Sequence, residues 1–248
     1  MSTRPALSAL LALTFAAFAA PATADCRRDV FEGVPFSVCT ADPASDDLRL
    51  FLTDPDGAIL GSFQRVRDTL ADEGADLGFA MNAGMFHTDR SPVGHYLDPR
   101  GEARGVITSA GPGNFGMLPN GVFCIGDGWA QVIESRAYAA DRPDCRFATQ
   151  SGPMLVIDGT LHPRFIEGGS SRYVRNGVGV TADGTVVAAI SDRPVNFHTF
   201  ARFFRDQMGT PNALYLDGNV SRLYAPALGR NDVGLPMGPI IGLVVPAD

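Results

Sequence analysis

Four β-like runs end in, or fold back across, turns built from Asp and Gly, and this repeat constrains the architecture more than any other feature. Leu48 to Thr53 leads through Asp54-Pro55-Asp56-Gly57 into Ala58 to Leu60, and Gly121 to Ile125 turns at Gly126-Asp127-Gly128 into Trp129 to Ile133. Gly177 to Thr181 turns at Ala182-Asp183-Gly184 into Thr185 to Ile190, and Met154 to Ile157 ends in Asp158-Gly159. Asp and Gly supply the side-chain cap and the backbone freedom that tight turns need, so each unit reads as a hairpin. Serial hairpins make antiparallel sheet. Helical period occurs in two places. Phe63, Val66, Leu70 and Leu77 form one stripe, and Phe197, Phe200, Ala201, Phe203, Phe204 and Met208 form the other, with Asn196 as its N-cap. Ala213 to Leu216 and Gly238 to Val245 read as buried strands. The expected class is α+β, a single domain with a mixed, largely antiparallel β-sheet core and a few packed helices.

The first 24 residues read as an export signal, leaving one domain over residues 25–248. Arg4 supplies the positive start, Leu7 to Ala20 carries no charge, and Ala22-Thr23-Ala24 fits a small-x-small cleavage site. Removing it leaves no candidate membrane span. Export gives the four cysteines a meaning, because an even number in an oxidising compartment favours disulfides. Of three possible pairings, the local one is expected: Cys26 with Cys39 and Cys124 with Cys145. Neither pair has zinc-knuckle spacing. The reading is therefore of a periplasmic or secreted protein.

All 20 basic residues are arginine, against 27 acidic ones, for a net charge of −7. An acidic surface disfavours nucleic-acid binding, which depends on neutralising phosphates. The absence of lysine removes Schiff-base, Ser-Lys and P-loop chemistry. No Gly-x-Ser-x-Gly, His-Glu-x-x-His or Gly-x-Gly-x-x-Gly motif is present. His198 reads as a structural or surface residue. His87, Asp89 and His95 are the one group a metal could use; the favoured reading calls for no metal and no cofactor. Oligomeric state is left open.

Three motifs place a polar side chain where an apolar run meets glycine: Asn82-Ala83-Gly84, Gln150-Ser151-Gly152 and Asp217-Gly218. Functional residues are often presented this way on a rigid scaffold. In isolation each is equally a turn-forming residue. Asp217 and Asp192, both at strand ends, are the candidate carboxylates for attack and proton transfer at a sugar carbon. Asn82 and Gln150 offer the donor–acceptor pairs that suit hydroxyls. Arg175 suits an anionic group.

In order, Asn82-x-Gly84-x-Phe86, Gln150-Ser151-Gly152-Pro153, Arg175-x-x-x-Gly179 and Leu216-Asp217-Gly218-x-x-Ser221 resemble the phosphodiester glycosidase domain family, across roughly Leu48 to Val245. Leu118-Pro119-Asn120-Gly121-Val122-Phe123 is similar to a bacterial, exported branch. Departures fall at Ala83 and Met85, in a motif that commonly reads Asn-Gly-Gly-Phe, at Asn219 and Val220, in one that commonly reads Asp-Gly-Gly-Gly-Ser, and at Asn176-Gly177 after the arginine. The resemblance implies hydrolysis at an anomeric carbon that carries a phosphodiester. Asp217 would be the principal catalytic carboxylate, Arg175 would hold the phosphate, and Asn82, Gly84, Gln150, Ser151, Gly152, Gly218 and Ser221 would form the carbohydrate or sugar-phosphate site; Asp192, read from its strand-end position alone, is the second acid/base candidate. Two alternatives stay open: a glycan-binding module without turnover, and a metal-dependent phosphodiesterase.

Overall fold

The structure is a computed structural model that describes residues 24–247; the leader lies outside the described residues except for Ala24. Three sheets make up the framework. The seven-stranded one runs Asp25–Phe31, Val34–Ala41, Val186–Ser191, Asn176–Val180, Asn212–Asp217, Met154–Ile157, Thr160–Leu161. A five-stranded sheet runs Arg230–Asn231, Leu223–Ala225, Ala75–Asn82, Ile240–Pro246, Asp47–Phe51, and another runs Gly101–Arg104, Tyr96–Asp98, Phe147–Ser151, Gly121–Ile125, Ala130–Glu134. Every strand pairing among the described residues is antiparallel. The α+β class holds.

Three of the four expected hairpins form, at Gly121–Glu134, Met154–Leu161 and Asn176–Ser191. The Asp54-Pro55-Asp56-Gly57 turn also forms, closed by a single Thr53–Ile59 bridge. It does not join two full strands, because Asp47–Phe51 takes its partner from the far end of the chain, Ile240–Pro246. Both local disulfides are present. Cys26 and Cys39 face one another across the first two strands, while Cys145 ties the Phe147–Ser151 approach to Cys124 in the neighbouring strand.

One core binds the sheets together. Val178, Leu214 and Leu216 of the seven-stranded sheet meet Phe79, Met81 and Ile241 of one neighbour and Phe123 of the other. The opposite face of the seven-stranded sheet is covered by the helix Phe197–Arg202, which continues as a wider π turn through Gln207. Asn196 caps it, its Oδ1 accepting from the Thr199 N–H at 2.8 Å. Both faces of Asn212–Asp217 are thus buried, which is why its sequence runs apolar without alternation. Leu214 and Leu216 point to the central core, whereas Ala213 and Tyr215 point under the helix. A second helix, Phe63–Ala71, buries Phe63, Val66 and Leu70 against the Ala75–Asn82 sheet, and a short third one, Ser135–Ala140, follows the Ala130–Glu134 strand. Leu77 lies in that strand rather than in the helix. Phe203 is fully buried and stacks on Phe36 at 3.9 Å between ring centroids. Phe203→Ala should cost about 3–5 kcal/mol, read as a lower urea midpoint with an unchanged denaturant slope.

Candidate functional site

Each sheet sends one strand end to a common corner. Asn82 ends a strand of one five-stranded sheet, Ser151 ends a strand of the other, and Asp217 ends a strand of the seven-stranded sheet beside Asn176. Hydrogen bonds between buried side chains weld these ends. Asn82 Nδ2 donates to Asn176 Oδ1 at 3.2 Å, and Asn176 Nδ2 donates to the Asn82 carbonyl at 2.7 Å. Asn82 Oδ1 accepts the Arg222 N–H, and Ser151 Oγ donates to the Leu216 carbonyl. Ser221 Oγ closes the ring onto the Asp217 carbonyl at 2.9 Å and reaches Asn176 Oδ1 at 3.3 Å. A buried polar network with its members satisfied holds one geometry. Asn176 is its hub.

A cleft of about 700 Å³ opens over this corner. Asp217 is the one carboxylate on its wall among the described residues. Its Oδ1 accepts the backbone N–H groups of Gly218 (2.6 Å), Asn219 (2.8 Å) and Val220 (3.4 Å), while Oδ2 takes no part in these bonds. The turn-capping and cleft-facing positions therefore coexist. Burial pushes the Asp217 carboxyl above its ordinary value, and the three N–H groups only partly offset this. Met85, Asn219 and Val220, at the positions that depart from the family pattern, stand on the cleft wall; Ala83 is buried in the central core.

Arg175 sits one layer behind that wall, fully buried. Its Nε donates to the Val195 carbonyl at 2.9 Å, and Nη2 donates to the Ser171 carbonyl and hydroxyl. These are neutral oxygens rather than carboxylates, and Nη1 has no partner. Phe197 stacks 3.7 Å from the guanidinium carbon, with Tyr215 and Tyr173 at 5.3 and 5.4 Å. Burial lowers the Arg175 pKa from its ordinary value, against the opposing pull of the two phenols. This buried guanidinium places Nη1 3.4 Å from where a Cβ on Gly218, a residue of the cleft lining, would stand.

Two expected residues lie elsewhere. Gln150 does not face the cleft; its amide spans two segments. Its Oε1 accepts the N–H groups of His95 and Ile107, and its Nε2 donates to the Ile107 carbonyl and to Ser135 Oγ. Asp192 accepts from Ser37 Oγ and pairs with Arg230 at 2.6 Å, away from the cleft lining. Gly84 adopts φ +150° with Thr149 Oγ1 close by, and Gly152 packs against Asn120 and the Phe115 carbonyl. Both glycines shape the corner from behind. His87 lines the cleft, but His95 is buried and bonded to the Arg104 carbonyl and Tyr138. Among the described residues no three His, Cys, Asp or Glu side chains gather as for a metal ion. Tyr215 and Asn114 on the cleft wall, and Asn176 in the network beneath it, carry no mark in the sequence reading. For Tyr215 the available signal was its place two residues before Asp217 in a strand.

Comparison with known proteins identifies the family and the fold. The family model described as phosphodiester glycosidase matches residues 75–234. The uncharacterized protein YigE of Escherichia coli strain K12 is 28% identical over 214 residues, covering 86% of this chain and 83% of that protein. The zebrafish N-acetylglucosamine-1-phosphodiester alpha-N-acetylglucosaminidase catalytic domain, solved auto-inhibited by its pro-peptide, shares the fold at a TM-score of 0.62 and 16% identity, over 89% of this chain and 82% of that one. A hypothetical protein from Synechocystis aligns at a TM-score of 0.55 and 14% identity, over 90% of this chain and 62% of that one. The matched span holds all three strand ends and the whole buried network. The chain belongs to the phosphodiester glycosidase family.

Proposed function

We propose that the protein is an exported hydrolase that breaks the anomeric C–O bond of a sugar 1-phosphodiester in envelope or extracellular polysaccharide. The observation that carries this reading is the isolation of Asp217 in the cleft, with one oxygen pinned by three backbone N–H groups and the other left for chemistry. Asp217 acts as nucleophile or as base toward water at the anomeric carbon. The leaving group is a phosphate monoester, whose departure needs little help from a general acid, so one carboxylate is sufficient. Arg175 contributes its charge from beneath the wall rather than by direct contact. Asn82, Asn176, Ser151 and Ser221 hold the Asp217 turn, and Gly218 leaves the wall thin. Family membership points to a carbohydrate-type substrate. Met85, Asn219 and Val220 set which sugar fits. The leader and the two disulfides support a periplasmic or secreted site of action; among the described residues no helix is long and apolar enough to cross a membrane.

Incubation with a panel of sugar 1-(methyl phosphate) diesters should release reducing sugar and methyl phosphate in equal amounts. Thermal stabilisation by these compounds with no product after prolonged incubation would favour a binding module instead.

A further inference from the structure

Tyr215 is a polar residue of the cleft lining that the reaction so far leaves unused. Tyr215 and Asp217 share a strand at a spacing of two, and both reach the cleft wall. The tyrosine ring is held from two sides. Phe197 meets it edge-on at 4.8 Å between centroids, and the Arg175 guanidinium carbon lies 5.3 Å from its centre. A Cβ placed on Gly218 would stand 2.2 Å from the hydroxyl oxygen and 3.4 Å from Arg175 Nη1. The glycine next to Asp217 is therefore bare because the phenol tip fills that space. Arg175 is buried and its Nη1 lacks a partner, while the Tyr215 phenol beside it lines the cleft.

We infer that Tyr215 donates a hydrogen bond to the phosphate oxygen of the leaving group as the anomeric bond breaks, with Arg175 polarising the hydroxyl from behind. This rests on the reading of the cleft as a sugar phosphodiester hydrolase. As the anomeric C–O bond breaks, its electron pair passes to the phosphate oxygen. The new C–O bond comes from water, either directly, with Asp217 taking a water proton, or by hydrolysis of an Asp217 ester. Tyr215 keeps its proton. The second ionisation of a phosphate monoester lies near pH 6 and that of a phenol near 10, so transfer would run uphill. Burial raises the Tyr215 pKa further, and the nearby Arg175 charge pulls the other way. The hydroxyl strengthens its bond as negative charge develops, the logic of an oxyanion donor.

Tyr215→Phe should lower kcat by about 10²-fold with KM changed by less than about threefold. The deficit should shrink along a series from methyl to trifluoroethyl esters, as the leaving phosphate becomes less basic. The melting temperature should stay within a few degrees. An unchanged kcat, or a deficit equal for every ester, would overturn the assignment while leaving the hydrolase reading intact. A second measurement does not depend on turnover. Calorimetric titration with methyl phosphate should give about tenfold weaker binding in Tyr215→Phe, the scale of one hydrogen bond to a charged group; equal affinity would sink the proposal.

Discussion

Asp217→Asn should reduce kcat/KM by about 10²–10⁴-fold, the range a positioned carboxylate contributes, while the protein stays folded. The amide oxygen of asparagine still accepts the Gly218, Asn219 and Val220 N–H groups, so the turn keeps its cap. Only the charge and the basicity disappear. The change also carries a signed pH dependence. Burial holds the folded carboxyl above its ordinary value of 3.8, so the folded state keeps its proton more tightly than the unfolded one. The stability tied to protonated Asp217 is present below the unfolded pKa and is lost as pH rises through the folded pKa. Asparagine has no such penalty. At pH 7 Asp217→Asn should therefore melt at or above the parent, and the gap should close below about pH 4. Melting curves across pH 3–8 check this. A gap that widened on acidification would mean the carboxyl is stabilised as an anion in the fold.

The largest loss of stability from one side chain near the site should come from Gln150→Leu. Four hydrogen bonds between 2.6 and 3.1 Å end on this amide, from or to His95, Ile107 and Ser135. Leucine fills the space and satisfies none of them. Each buried group left without a partner costs about 1–3 kcal/mol. With relaxation a total of about 3–5 kcal/mol follows, or a fall on the order of 10 °C in melting temperature for a chain of this size. Below that temperature KM should be nearly unchanged. A large rise in KM with little change in melting would return Gln150 to the substrate.

The contrast between these two residues marks what was legible in the sequence. Turn chemistry is local, so the strand ends at Asn82, Ser151 and Asp217 and the disulfide pairs could be read from short windows. Side-chain direction is not local. Gln150 and Ser151 are adjacent in one strand, yet opposite faces send one to brace a distant loop and the other to the Asp217 strand. Asp192 looked like Asp217, each following an apolar strand, but the fold brings Arg230 to it from 38 residues away. Arg175, at the start of a strand, reads as a guanidinium that meets an anion directly, yet it is fully buried. Its burial depends on an aromatic cage drawn from Phe197, Tyr173 and Tyr215. Tyr215 was concealed by its own apolar strand. The Asp47–Phe51 strand was matched to the nearer run because nothing local announces a partner nearly two hundred residues later.

The central claim is that the Asp217 cleft directs cleavage to carbon. Hydrolysis of a sugar 1-(methyl phosphate) diester in ¹⁸O-water, followed by mass spectrometry of both products, tests it most directly. The account predicts the label in the sugar, at the anomeric hydroxyl, and none in the methyl phosphate. Label in the phosphate would mean attack at phosphorus and would contradict it.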